Sequence, residues 1–140
     1  MQKFVTNSEK ETENLAMEIA KSIPKGSVVE LIGDLGAGKT AFSKGFAKGL
    51  GVKEKVTSPT FALLNTYTGD EVRLNHFDLY RVCDVEELDL MGFREVFFEK
   101  DAISLIEWPQ IASDYLPKSK HIITITKTGD NSREIIWENV

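Results

Sequence analysis

The octapeptide Gly33-Asp34-Leu35-Gly36-Ala37-Gly38-Lys39-Thr40 constrains this chain more than any other stretch. It reads as a glycine, four residues, a second glycine, a lysine and a hydroxyl residue. Glycines at this density let successive backbone N–H groups point inward at one anion. A helix starting at the end of such a turn aims its positive pole at the same point. The flanks supply what the turn needs. Val28-Val29-Glu30-Leu31-Ile32 is a short β-branched and apolar run. Beyond the turn, Phe42, Phe46, Ala47 and Leu50 recur at helical spacing. Strand, glycine turn and helix together indicate a phosphate-binding loop. Lys39 can then reach β- and γ-phosphates, and the Thr40 hydroxyl can ligate a magnesium ion between them. The alternative is a plain glycine turn between two core elements. Chance meets the full pattern in a chain this long at roughly the one-per-cent level.

A length of 140 residues suits one domain, residues 1–140, with a real core. No apolar run approaches the roughly 20 residues of a membrane span. The first residues are followed by charges rather than a signal-peptide core. The one cysteine, Cys83, forms no internal disulfide, which suits a reducing cytoplasm. No histidine or basic residue clearly activates it. A net charge of −5 argues against tight nucleic-acid binding by this chain alone. With two histidines, zinc has no constellation of ligands.

Along the chain, residues 3–6 suit a short strand. Ser8-Glu9-Lys10-Glu11 has the form of a capping box, and Leu15, Ala16, Ile19, Ala20 and Ile23 form an apolar stripe behind it. Thr57-Ser58-Pro59-Thr60 is either a polar turn or a nucleotide-sensing switch segment beside the phosphate loop. Residues 61–67 and 71–80 suit two strands joined at Thr68-Gly69-Asp70. Alternation puts His76, Asp78 and Tyr80 on one face and Phe77 and Leu79 on the other. Asp78 is a turn cap, or an acid placed to serve magnesium or water; nothing local marks His76 as a ligand. Short helices follow from residue 85 and from residue 93, where Phe93, Val96, Phe97 and Phe98 suit a core. The run Asp84, Glu86, Glu87 and Asp89 suits a solvated face or a contact with a basic partner.

Ile103-Ser104-Leu105-Ile106 has the character of a buried parallel strand. Glu107 follows directly. The carboxyl end of such a strand opens on the ligand crevice, so Glu107 is a candidate magnesium carboxylate. Residues 109–116 suit a short helix. Residues 121–126 and 133–137 suit a closing hairpin, which makes the sheet mixed.

Four motifs in this order, residues 33–40, Thr57-Ser58-Pro59-Thr60-Phe61, His76-Phe77-Asp78-Leu79-Tyr80-Arg81 and Ile106-Glu107-Trp108-Pro109, closely resemble the bacterial TsaE family, also called YjeE. The resemblance covers nearly the whole chain. It implies a three-layer α/β/α fold of the phosphate-loop NTPase type, with a mixed, mainly parallel central sheet and antiparallel edge strands. It implies a slow, magnesium-dependent ATPase needed for threonylcarbamoyladenosine at position 37 of tRNAs that read codons starting with adenine. It further implies that transfer to adenosine belongs to TsaD acting with TsaB, a pair that TsaE binds and resets. Contact with tRNA is then indirect.

Carried onto this sequence, the resemblance implies phosphate contacts from the backbone of Asp34, Leu35, Gly36, Ala37, Gly38, Lys39, Thr40 and Ala41. It assigns magnesium to Thr40 and Glu107. Lys39, Asp78 and Glu107 become the catalytic residues, with Asp78 at the metal or the attacking water. Thr57 to Thr60 matches a switch-like loop, and Trp108 matches a tryptophan beside the metal carboxylate. Adenine contacts are sought at Thr6-Asn7 and Lys127-Thr128. A small-molecule kinase is the alternative. It usually carries a lid with clustered arginines, and Arg73, Arg81, Arg94 and Arg133 form no obvious lid in the sequence.

Overall fold

The computed structural model describes residues 1–59 and 62–140; Thr60 and Phe61 lie outside the described residues. In chain order the elements are β1 (Gln2–Thr6), α1 (Glu9–Ser22), β2 (Val28–Ile32), α2 (Lys39–Gly49), β3 (Leu64–Thr68) and β4 (Arg73–Asp78). Then come α3 (Glu86–Leu90), α4 (Phe93–Val96), β5 (Ala102–Glu107), a 3-10 turn (Pro109–Tyr115), β6 (His121–Lys127) and β7 (Arg133–Asn139). The described residues form a seven-stranded sheet in the order β1-β7-β6-β2-β5-β4-β3. Its centre, β6-β2-β5-β4, is parallel throughout. The outer strands β1, β7 and β3 pair antiparallel. This is the mixed sheet with antiparallel edges that the sequence leads one to expect. The central strands are covered on both faces, so β5 is buried along its whole length, Ser104 and Glu107 included.

The two covering layers differ in weight. On one face α1 and α2 press Ile19, Phe42 and Phe46 against Leu31, Leu105 and Ile123. On the other, α3, α4 and the 3-10 turn bring Leu88, Phe97 and Ala112 onto Val28, Phe77 and Ile106. Phe97 packs on Phe77 with ring centroids 4.8 Å apart. Phe98, expected in the core, is instead 53% exposed. One residue along a helical turn rotates the side chain well away from its neighbour, so Phe97 and Phe98 cannot share a face.

The heavy layer depends on two glycines. A glycine inside a helix costs about 1 kcal/mol relative to alanine, yet α2 carries Gly45 and Gly49 one turn apart. Their backbones lie directly against α1. A Cβ on Gly45 would collide with the Glu13 carbonyl oxygen, and one on Gly49 would stand 2.5 Å from the Met17 carbonyl oxygen. The missing side chains are what let the helices approach. The start of α1 is pinned by its cap: the Glu11 N–H donates to Ser8 Oγ, and the Glu11 carboxylate reaches back to the Asn7 N–H, each at 3.0 Å.

Three element boundaries differ from the sequence pattern. The strand expected over residues 61–67 begins at Leu64, because Leu63 has a left-handed φ of 67° and its N–H turns back to the Pro59 carbonyl. The strand expected over residues 71–80 stops at Asp78, where the Asp78 carboxylate accepts the Tyr80 N–H at 3.0 Å and turns the chain. The helix expected over residues 109–116 is present as a 3-10 helix that ends at Tyr115.

Two measurements probe this architecture. Gly45→Ala is expected to lower the unfolding free energy by about 1–3 kcal/mol despite alanine's better helix propensity; an unchanged urea midpoint would contradict the close helix contact. The second concerns His121, whose Nδ1 accepts the Trp137 Nε1–H at 3.1 Å. Burial holds this ring below its ordinary pKa of 6.5. The unfolded chain therefore takes up the proton first as pH falls. The stability tied to the neutral ring is complete above about 6.5 and is lost as pH drops from there toward the folded-state value. The stability deficit of His121→Gln relative to wild type should thus shrink between about pH 7.5 and about pH 5.5. Parallel pH profiles would show that this ring does not contribute.

Candidate active site

Asp78 ends β4 and Glu107 ends β5, and the parallel register sets them side by side. Leu31 of β2 stands next to Glu107 on the other flank. The glycine loop leaves β2 one residue after Ile32, so it begins beside Glu107, with Asp78 one strand farther along the sheet. All three strands are parallel, and their carboxyl ends form the edge where an open α/β sheet holds ligands.

The loop ends at Gly38, which caps α2 with a φ of 105°, a value that favours glycine. The Ala37 N–H closes a turn onto the Asp34 carbonyl at 3.0 Å, and the first helical bond runs from the Phe42 N–H to the Gly38 carbonyl at 3.1 Å. The N–H groups of Lys39, Thr40 and Ala41 therefore precede the helical ladder and point out of its start. Ala37 and Ala41 are buried and hold the loop to the core, whereas Asp34, Leu35, Gly36 and Thr40 are exposed.

Lys39 is only 7% exposed. Its Nζ sits 3.9 Å from the centroid of the Trp108 ring, a cation–π contact. Burial pulls the ammonium below the usual lysine range, and the carboxylates of Glu107, Asp78 and Asp34 oppose that shift. Trp108 reaches this place through a left-handed backbone, with φ 56°, between β5 and Pro109. The Tyr80 ring packs against it, centroids 4.8 Å apart.

Glu107 is held from behind. Its Oε2 lies 2.6 Å from His76 Nε2. Both side chains are buried, and His76 Nδ1 finds no hydrogen-bond partner among the described residues. With Nε2–H donating to the carboxylate, the bond to Glu107 orients the ring. Asp78 combines the two roles its place in the sequence allows: it caps the turn through the Tyr80 N–H and also lines the cleft.

That cleft has a volume of about 590 Å³, within the usual range for small-molecule sites. Loop residues Lys39 and Thr40 line it together with Asp78, Glu107 and Trp108 from the strand ends and with Ser8, Thr12, Asp130 and Asn131. Ser58 of the hydroxyl-rich loop reaches it, while Thr57 is tied to β3 through the Tyr67 hydroxyl; Thr60 and Phe61 lie outside the described residues. Asn7 and Thr128 stand beside the cleft without lining it. Asn7 Oδ1 accepts the Ser132 hydroxyl at 3.2 Å, and the Thr128 N–H donates to the Ser132 carbonyl at 3.0 Å. Lys127 lines a second cavity of about 320 Å³, along with Asp34, Leu35 and Pro109.

A family model described as "Threonylcarbamoyl adenosine biosynthesis protein TsaE" matches residues 6–135. The chain belongs to the TsaE family. Similar proteins include the "tRNA threonylcarbamoyladenosine biosynthesis protein TsaE" of Bacillus subtilis, 39% identical over 99% of this chain and 85% of that one. The protein of the same name from Borreliella burgdorferi is 42% identical over 81% of this chain and 82% of its own length. Among solved structures, Bacillus subtilis YdiB superposes with a TM-score of 0.81 at 34% identity, covering 99% of this chain and 85% of that one.

Within this TsaE-family site, two residues escape sequence reasoning. His76 is separated from Glu107 by 31 positions; only the strand alternation that groups it with Asp78 hints at its side of the sheet. Arg133 lines the cleft together with Arg81, although neither stands near a lid in sequence. No local pattern marks Arg133, which opens the last strand. The His76–Glu107 contact is open to a double-mutant cycle. His76→Ala should destabilise the wild type more than it destabilises Glu107→Gln, with a coupling of about 1–3 kcal/mol in denaturant unfolding. Zero coupling would reduce the contact to proximity.

Proposed function

We propose that this chain is a magnesium-dependent ATPase of tRNA threonylcarbamoyladenosine biosynthesis, serving adenosine 37 of tRNAs that read codons starting with adenine. It binds the TsaD–TsaB complex in the cytoplasm and resets it by ATP binding and slow hydrolysis, and its net charge of −5 leaves tRNA contact to those partners. The observation that carries this reading is the convergence, in one cleft of a TsaE-family chain, of Lys39, Asp78 and Glu107 on the free N–H groups at the start of α2.

The donor set suits this ligand pair. Among the described residues no three His, Cys, Asp or Glu side chains gather into a metal cage. Magnesium ordinarily needs only one or two carboxylates, with phosphates and water completing its shell. Thr40 and Glu107 would hold it, and when bound it would supply positive charge that neutralises the phosphates. Lys39, already desolvated, supplies an ammonium to the β- and γ-phosphates, and the N–H groups of residues 38–41 surround them. Asp78 orients the attacking water from the neighbouring strand end. His76 keeps the Glu107 carboxylate facing the cleft.

Phosphate release from MgATP, measured alone and with the TsaD–TsaB pair, tests the proposal. Slow release that the pair stimulates is expected. Neither binding nor stimulation would overturn the partner assignment, and an ATP-dependent phosphorylated metabolite would favour the kinase alternative. Lys39→Ala should weaken MgATP binding about 10–100-fold, the loss of one charge-assisted hydrogen bond. Calorimetric titration with MgATP measures that binding in both proteins. Normal turnover by Glu107→Ala would remove the metal assignment.

A further inference from the structure

Arg133 opens β7 and is gripped on both sides by the sheet, opposite Thr6 of β1 and Lys127 of β6. Its guanidinium forks over backbone carbonyls of two separate segments. Nε–H donates to the Ala37 oxygen at 2.7 Å, and an Nη2 hydrogen points to the Gly36 oxygen at 3.4 Å. Nη1 serves the turn before β7, donating to the Ser132 oxygen at 2.9 Å and the Gly129 oxygen at 3.2 Å. Gly38 lies directly against it: a Cβ there would stand 3.3 Å from Arg133 Nε. The ion pairs found among the described residues do not include Arg133. A permanently charged side chain is here directed at peptide oxygens.

The shortest of these bonds has a geometric consequence. In a planar trans peptide the C=O and N–H point in opposite directions. Drawing the Ala37 oxygen toward Arg133 therefore turns the Gly38 N–H away from it, into line with the N–H groups of Lys39, Thr40 and Ala41. We propose that Arg133 is a positioning residue that sets the anion-binding form of the glycine loop from the β6–β7 turn. The cradle is then a two-part device. The loop supplies the N–H groups, and a rigid sheet edge, 96 positions away in sequence, supplies their orientation. Arginine suits this task because its planar fork spans several carbonyls at once, whereas a lysine ammonium acts as a single point. The consequence for nucleotide affinity rests on the proposed MgATP binding; the orientation of the loop does not.

The test compares wild type, Arg133→Met and Arg133→Lys in two measurements. The first is amide hydrogen exchange without nucleotide. Arg133→Met should raise exchange several-fold at the hydrogen-bonded loop amides of Ala37 and Phe42 while β2 and β5 keep their protection, and Arg133→Lys should fall between. Unchanged loop exchange would overturn the proposal. So would a uniform rise over the whole sheet, which marks a merely structural strand residue, or full recovery by lysine, which marks a point charge. Should Arg133→Met fail to fold, Arg133→Lys decides alone, since loop exchange equal to wild type would sink the idea. The second measurement is MgATP titration by calorimetry, where Arg133→Met should bind about tenfold more weakly than wild type. Equal affinity would overturn the role toward nucleotide. A wild type that binds no MgATP would overturn the proposed function, and the exchange comparison would still settle Arg133.

Discussion

An ammonium held out of water has to be compensated, and Lys39 sets that condition for everything around it. Glu107, Asp78 and Asp34 provide opposing charge. Trp108 provides an aromatic face at 3.9 Å. These partners come from separate places: the end of β5, the end of β4, the glycine loop and the residue after β5. The parallel centre of the sheet is what delivers them together. Side-by-side strands running in one direction end at one edge, and the loop that carries Lys39 leaves from the same edge.

The same cluster explains the unusual backbone nearby. Trp108 adopts a left-handed conformation with φ 56°, which costs of order 1–3 kcal/mol for a non-glycine residue. That cost is offset where the indole covers Lys39 and packs at a tilt against Tyr80. Behind the acids, His76 holds Glu107 in a buried hydrogen bond. The site is thus assembled from pairs whose members would each be unfavourable alone.

The walls depend on close helix packing and on hydrogen bonds from the sheet edge. Gly45 and Gly49 let α1 lie against α2, which carries Ser8 and Thr12 to the rim of the cleft. Beside them the turn before β7 reaches the loop through Arg133 and reaches Asn7 through Ser132. The heavy helical layer and the antiparallel edge therefore meet beside the glycine loop. The thinner layer on the far face only covers Phe77, Ile106 and their neighbours.

Local features of this molecule are legible in its sequence. The glycine–lysine turn, the capping box at Ser8 and the acids closing apolar strands at Asp78 and Glu107 each depend on a few consecutive residues, whose backbone preferences and periodicity are written in order along the chain. The four motifs together also carry the resemblance to the TsaE family. Long-range geometry is not legible in the same way. Which side of the sheet His76 shares with Glu107 depends on the β4–β5 register. That Arg133 meets Ala37 depends on a sheet order that no local pattern encodes. That Phe98 faces water and Leu63 turns left-handed depends on how short elements meet their neighbours. Local chemistry determined that a glycine-rich loop stands between a buried strand and a helix. Tertiary packing alone decided what surrounds that loop, because contacts between residues far apart in the chain follow from strand register and helix approach, which arise only when the whole core closes.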